Sequence, residues 1–567
     1  MSQQFLTRHI EDDRLNVYDS ALLDVKSGPA SSLYEYHNPV TNSSSSTAWN
    51  VNIPDSKNVV INKKQMVKGT FSCYFQYTTA AENTLTISQL KNVVPSAFPL
   101  AFSLKQSTLS LNGTSLSFQN EEIMPTLLKQ YSQEYLAENC QLTPNCVDKY
   151  YAKYSDASSA SSGSYFKGVQ SSDLEGLATG RMNSDFDITV YNLAGVAVSA
   201  LANSTTYSVQ VDIRICEPLL GLPCTSLDNS EGGMNGVNNI KINLQYNSLK
   251  NVICHGESDV SVSTIYPGSV EAGSTRSYPL SDDTTLVVQT LQPNVFDMRK
   301  LTPVSMVPYV DFNSFQGTIQ DYSANKQITS NKYDFNTLPD RIFISAVVPY
   351  DYQTANLSNH IAFPIKNINV QFNNKSGLLS NMTVFELYEM SKRNGLRQPY
   401  SEWLGVVKNE NGAELASLGG VIIVDPIRDL NMSEYDSPSG VGSFSFQISV
   451  TLGDAIIDAD KFQLSVITTS PGVLITQNGS SIPTTSLLNK SMILETLARD
   501  AEDDIDNVRK LEGGNVRSGL VHSVKKYAKS HKGQIKKAAH KATDMAVDKV
   551  VGGHYSMVAG SKLSKYI

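Results

Sequence analysis

The residues whose types and spacing best suit chemistry lie near the C-terminal end. Leu511-Glu512-Gly513-Gly514, followed by Asn515, is an aliphatic-x-Gly-Gly tetrapeptide. Two glycines leave an extended backbone free of side chains, a shape that enters a narrow protease groove. The tetrapeptide sits where the charge turns from acidic to basic. Gly513 also suits the C′ position of a helix C-cap, which is the alternative reading. Val550-Val551-Gly552-Gly553 is a poorer second match. Beyond Gly514, Lys525, Lys526, Lys529, Lys532, Lys536, Lys537 and Lys541 surround an apolar stripe of Val521, Val524, Ala528, Ile535, Ala539 and Ala542, interrupted by Gly533. Three readings stay open: a solvated flexible helix, a segment that neutralises nucleic-acid phosphates, or an amphipathic helix on an anionic membrane. Tyr527 is the only aromatic residue among the central lysines, so base stacking is not indicated.

Elsewhere the chemical motifs are missing. There is no GxxxxGK[ST], no GxGxxG after a strand, no HExxH and no GxSxG. Cys254-His255 is the only adjacent thiol and imidazole, and neighbours on a strand point to opposite faces. Four histidines (His522, His531, His540, His554) fall in the tail. Cys73, Cys140, Cys146, Cys216, Cys224 and Cys254 form no CxxC and read as thiols in a reducing compartment. Scattered Asp and Glu would allow a glycosidase pair, but sequence spacing cannot show one. No catalytic residue, cofactor site or metal site is expected.

The elements that must position these residues are mostly strands. Tyr, Phe, Val, Ile and Thr alternate in short runs between Ser, Asn and Gly. Net charge is −8, unevenly spread. Residues 515–567 carry eleven Lys and Arg against Asp544 and Asp548, a net of +9, so the remainder carries −17. The opening MSQQFLTRHIEDDR lacks the basic start and apolar core of a signal peptide, and no apolar run reaches transmembrane length. The sequons at Asn112 and Asn381 are therefore expected to be unglycosylated.

One unit recurs. In Ile368–Asn394, Ile368, Val370 and Phe372 alternate as a strand, Asn373-Asn374 turns, and a helix follows with Val384, Leu387 and Tyr388 on its apolar face, capped by Ser380 or Asn381. Some 260 residues upstream, Leu109 and Leu111 alternate, Asn112-Gly113 turns, and a helix starts near Glu122 with Pro125 in its first turn and Ile123, Leu127, Tyr131 and Tyr135 on its buried side. Around each copy lie about eight short strands. The cleanest are Tyr207–Ile215 and Phe444–Leu452. Eight antiparallel strands with long connections indicate a jelly roll. The expected fold is all-β: two consecutive eight-stranded antiparallel jelly rolls, each with a short inserted helix, then a helical basic tail. The boundaries are 1–40 as an arm or lead-in strand, 41–296 and 297–485 as the two rolls, 486–514 as an acidic helical linker and 515–567 as the tail. Residues 139–183, with the low-complexity SDASSASSGS, form a long irregular region.

The pattern resembles the double jelly-roll major capsid proteins of the adenovirus and tailless-phage lineage, above all those of polinton-like viruses and virophages. The resemblance covers roughly 40–485 and rests on the repeated unit, LPDRIFISAVVP (338–349), INVQFNNKSGLLS (368–380), VDIRICEPLLGLP (211–223) and IKINLQYN (240–247). It implies a structural protein of a DNA virus, present in the virion and assembled in the host cytoplasm or nucleus. It implies a homotrimer of pseudo-sixfold outline tiling an icosahedral shell, with loops outward and termini inward. Its partners would be neighbouring capsomers, penton and minor capsid proteins, and an adenovirus-type maturation protease that cuts near Gly514. Viral DNA or an internal membrane would meet the tail, which is more basic than in many such proteins. The rival reading is a β-sandwich carbohydrate-binding or glycoside-hydrolysing protein, for which Trp49 and Trp403 are the only tryptophans. A fibre fits less well, since no repeat shorter than the domain is visible.

Overall fold

The computed structural model describes residues 29–485, apart from 55–57, 80–92, 96–97, 132–185, 223–232, 256–263, 275, 294–303, 324–325, 354–361, 374, 409–413, 417–418, 431, 433–439, 455–459 and 478. The tetrapeptide, the tail lysines, the linker and the low-complexity region lie outside the described residues. The first half supplies β1 (Pro29–His37), β2 (Ser46–Asn52), β3 (Met66–Thr78), α1 (Pro99–Ser103), β4 (Leu104–Leu111), β5 (Thr114–Phe118), α2 (Asn120–Leu128), β6 (Phe186–Tyr191), β7 (Thr206–Pro218), β8 (Asn239–Tyr246) and β9 (Thr285–Pro293). The second supplies β10 (Val304–Gln316), β11 (Gln327–Thr329), β12 (Tyr333–Thr337), β13 (Arg341–Val347), β14 (Ile365–Phe372), β15 (Lys375–Leu378), α3 (Val384–Arg393), β16 (Ile422–Val424), β17 (Val441–Leu452), β18 (Lys461–Gln477) and β19 (Ser480–Thr484).

Among the described residues each half contains two large antiparallel sheets, and the strand orders of these sheets correspond. One sheet runs β1–β9–β3–β7 in the first half and β10–β18–β13–β16 in the second; the other runs β2–β8–β4–β5 and β11–β17–β14–β15. Alternation explains the layers. Tyr207, Val209, Val211, Ile213 and Ile215 of β7 are all buried, as are Phe446, Ile448, Val450 and Leu452 of β17. Period-2 side chains of these sheets form one continuous buried apolar cluster that runs through both halves.

The recurring unit is a hairpin followed by a helix. In the first copy Asn112 and Gly113 have φ of 51° and 87°, the left-handed pair of a tight hairpin turn, and Asn373 repeats the 51°. Both asparagines do the same second job. Asn112 Oδ1 accepts from the Asn238 amide at 2.7 Å, and Asn373 Oδ1 accepts from the Ser445 amide at 2.8 Å, each stitching the turn to the neighbouring strand. The return strands β5 and β15 are additions to the sequence reading. Lys375-Ser376-Gly377-Leu378 has too little apolar alternation to announce a strand, and pairing with β14 imposes it.

Helix starts also differ from the sequence reading. Thr383, not Ser380 or Asn381, caps α3. Its hydroxyl accepts from the Glu386 amide while Glu386 takes the Thr383 amide at 2.7 Å, a capping box. The Ser380 hydroxyl is used instead on the Gly377 carbonyl. Leu387 and Tyr388 are buried as expected, and Val384 packs partly against the core. Helix α2 begins at Asn120, so Pro125 lies inside it rather than in its first turn. Ser107 Oγ donates to Asn120 Oδ1 at 2.6 Å, which fixes the chain immediately after β5 and starts the helix early. Ile123 and Leu127 are buried and Tyr131 partly so; Tyr135 lies outside the described residues.

Candidate functional site

Among the described residues no group of three or more His, Cys, Asp or Glu is placed to hold a metal, and no helix is long and apolar enough to cross a membrane. The main chain of Ile253–His255 forms a short strand paired with Val93–Pro95, so Cys254 and His255 are strand neighbours. Cys73 is a buried free thiol, and burial, with Asp212 nearby, pushes it far above the ordinary range. A thiol held protonated is a poor nucleophile. The buried carboxylate of Glu217 accepts from the Leu100 and Ala101 amides at 3.0 and 3.2 Å, at the edge of a small cavity. That carboxylate caps α1. Both tryptophans are buried, and Trp403 Nε1 donates to the Val421 carbonyl at 3.0 Å, so neither offers a sugar-stacking platform.

The built features are instead a seam between the halves and several exposed apolar faces. At the seam β5 lies against β10 and β19. Asn112 Nδ2 donates to Ser481 Oγ at 3.0 Å, the Thr114 hydroxyl donates to the Ser481 carbonyl, and the rings of Phe118 and Phe312 meet edge to face at 5.5 Å. Lower along α2, the buried Lys129 ammonium donates to the Gly419 carbonyl at 3.3 Å, and the Arg397 amide donates to the Lys129 carbonyl at 3.1 Å. A third contact joins the loop after β8 to residues 350–353. Ser248 shares a 2.7 Å bond with the Tyr350 hydroxyl, Lys250 sits 5.1 Å over the Tyr350 ring, and Asn251 donates to Gln353 at 2.9 Å. Glu121 of α2 belongs to this region. Burial raises its carboxyl to about 7; Glu122 and Asp351 push the same way, and Lys105 and Lys250 oppose.

Among the described residues, exposed apolar side chains include three groups. On β1, Tyr34 is 56% exposed and Tyr36 60%. On α3, Phe385 is 54% exposed and braced from behind, with Tyr400 at 5.4 Å and Tyr400 in turn against Tyr388 and Trp403. A further row, Met306–Ile475–Ile482, crosses β10, β18 and β19, with Met306 and Ile482 largely exposed. The sequence reading missed all three. Tyr34 and Tyr36 carry a weak signal, an aromatic pair at i and i+2.

Comparisons with known proteins bear on this geometry. Residues 3–288 match the sequence model of the family described as Sputnik virophage major capsid protein 1st domain. The chain belongs to the virophage major capsid protein family. Residues 312–472 match a second model of that group, the major capsid protein V20 C-terminal domain, so the two matches fall on the two repeated halves. A putative capsid protein V20 of Sputnik virophage is 23% identical over 195 residues. That alignment spans 32% of this chain and about a third, 32%, of the relative's length. Among solved structures, a chain of the Sputnik virophage seen by cryo-EM superposes with a TM-score of 0.70 at 16% identity, covering 86% of this chain and 95% of that one. The mavirus major capsid protein gives 0.62 at 15% identity, covering 87% and 98%. At such identities these superpositions show a shared, mostly antiparallel β fold.

Proposed function

We propose that the chain is the major capsid protein of a virophage-like DNA virus, a structural component of the virion rather than an enzyme. Each half is a jelly roll with its hairpin-helix unit, and three chains form a capsomer of six rolls that tiles an icosahedral shell. The observation that carries the reading is the repetition itself. Two sheet pairs of matching strand order, each with an asparagine-pinned hairpin and helix, are joined by a packed seam. Two similar units side by side in each of three chains approximate a hexagon, and a hexagonal outline is what close tiling of a shell requires. Partners are then neighbouring capsomers, penton and minor capsid proteins.

The tail belongs to the same proposal. A maturation protease of adenovirus type cuts after Gly514, and the lysines from Lys525 to Lys541 engage viral DNA or an internal membrane before removal. The −17 body and +9 tail support a tail that serves a separate partner. Light scattering on the purified full chain tests the assembly: the expected mass is three times the 62.0 kDa chain. A monomer at high concentration would overturn it.

A further inference from the structure

No Asp, Glu, Lys, Arg or His occurs from Ile188 to Val211, a stretch that takes in the end of β6, the loop after it and the start of β7. At the tip of that loop Leu193 is 71% exposed and Val196 55%, and Ala194 and Ala197 are exposed beside them. The chain behind the tip is anchored. Leu201 and Tyr207 are buried, the Ala202 amide donates to the Tyr207 hydroxyl at 2.8 Å, and the Thr205 amide donates to the Thr79 hydroxyl at 3.0 Å.

The tip closes on itself. Asn192 Oδ1 accepts from the Ala194 and Val196 amides, both at 3.0 Å, and the Asn192 carbonyl accepts from the Gly195 amide at 2.9 Å. The Asn192 amide donates to the Val196 carbonyl at 3.0 Å, and the Ala272 amide donates to the Gly195 carbonyl at 2.8 Å. Gly195 has φ of +75° and lies so near the bracing segment that a Cβ would stand 2.6 Å from the Val270 carbonyl oxygen. Three consecutive tip amides are therefore bonded within the protein, while the side chains of Leu193 and Val196 face outward. A loop in water has no need of this, because water bonds a free amide. A loop entering hydrocarbon does need it, because nothing there replaces the water.

We propose that this tip is a lipid-contact site, at which Leu193 and Val196 enter the apolar region of a zwitterionic bilayer. A convex tip asks a protein partner for a matching cleft, whereas acyl chains close around any shape. Charge selects the lipid. The tip carries no cation to meet an anionic headgroup, Glu271 on the bracing segment is exposed, and the chain ahead of residue 515 carries −17. The position in the fold gives the contact a direction. Thr206 at the start of β7 pairs with Thr78, and Pro218 at its other end pairs with Met66, which pairs with Val287 of β9. Since β9 runs on from Val287 to Pro293, the partner of Pro29, the tip lies at the opposite end of this sheet from the first described residue. With termini inward the tip faces out of the shell, toward a membrane met from outside; this direction alone rests on the proposed assembly.

Flotation of the purified full chain with phosphatidylcholine vesicles tests the contact. The wild type is expected to float, and Leu193→Asp and Val196→Asp to lower the bound fraction at least tenfold with unchanged circular dichroism, since both side chains are exposed. Leu193→Trp places an indole at the tip, and brominated phosphatidylcholine is expected to quench it while leaving the buried Trp49 and Trp403 of the wild type bright. Failure to float, flotation that both Asp substitutions leave intact (the basic tail then being the binder), or an unquenched indole overturns the proposal. So does a wild type that ignores vesicles but self-associates through a contact that the Asp substitutions abolish. Assembled particles are expected to float as well; a free chain that floats while particles do not overturns the outward direction and leaves the lipid contact.

Discussion

Truncating the aromatic pair at the seam should reveal how the halves are coupled. Phe118 is buried and Phe312 half-buried, with ring centroids 5.5 Å apart and planes at 89°. Phe118→Ala removes a core ring and should cost about 3–5 kcal/mol. Phe312→Ala removes a half-covered ring and should cost roughly half that. An edge-to-face pair contributes about 0.5–1.5 kcal/mol beyond area burial, and each single variant loses it once. The double variant should therefore fall short of the sum of the singles by about 1 kcal/mol. The two tryptophans supply the assay, because buried Trp49 reports the first half and buried Trp403 the second. Urea unfolding is followed at one protein concentration in Trp49→Phe and Trp403→Phe backgrounds. Wild-type midpoints should coincide, and Phe118→Ala should separate them. Singles that add to within about 0.3 kcal/mol, with midpoints still coincident, would refute the claim that this pair couples the halves.

Glu121 should make the seam pH-sensitive. Its carboxyl is raised to about 7, so the stabilisation is fully present below the ordinary 4.5 and is lost as pH climbs through about 7. The difference in thermal midpoint between wild type and Glu121→Gln should change across that window; a constant difference contradicts the assignment. Thr383→Ala should destabilise α3 by about 1 kcal/mol by removing half of the capping box, read as faster amide exchange in residues 384–387. Gly419→Ala should abolish soluble expression, because its φ is +71° and a Cβ would lie 1.9 Å from the Ala362 carbonyl oxygen; normal yield would show that the loop adapts. Mass spectrometry of mature particles should find chains ending at Gly514, and intact Ile567 there would count against cleavage.

Much of the fold was legible because it depends on local alternation. Strands such as Tyr207–Ile215 show their buried face directly, and Asn112-Gly113 marks its turn through a backbone need that few residues meet. The short elements were not legible. Lys375–Leu378 and Ser480–Thr484 have little pattern of their own and become strands only because β14 and β18 offer an edge. The cap of α3 was misplaced because Ser380, Asn381 and Thr383 are all capping types, and only Thr383 has a Glu three residues on. The assembly faces were beyond sequence. Phe118 and Phe312 read as ordinary apolar residues, and their significance depends on a contact between strands nearly two hundred residues apart. Nor does sequence single out Lys129, which is buried on the Gly419 carbonyl.

The central claim is that a duplicated unit makes one chain two sides of a hexagonal capsomer. A cryo-EM reconstruction of the assembled particle tests it most directly. The account predicts capsomers of three chains, with six hairpin-helix units arranged around each capsomer's own axis. A capsomer with another number of chains would contradict it.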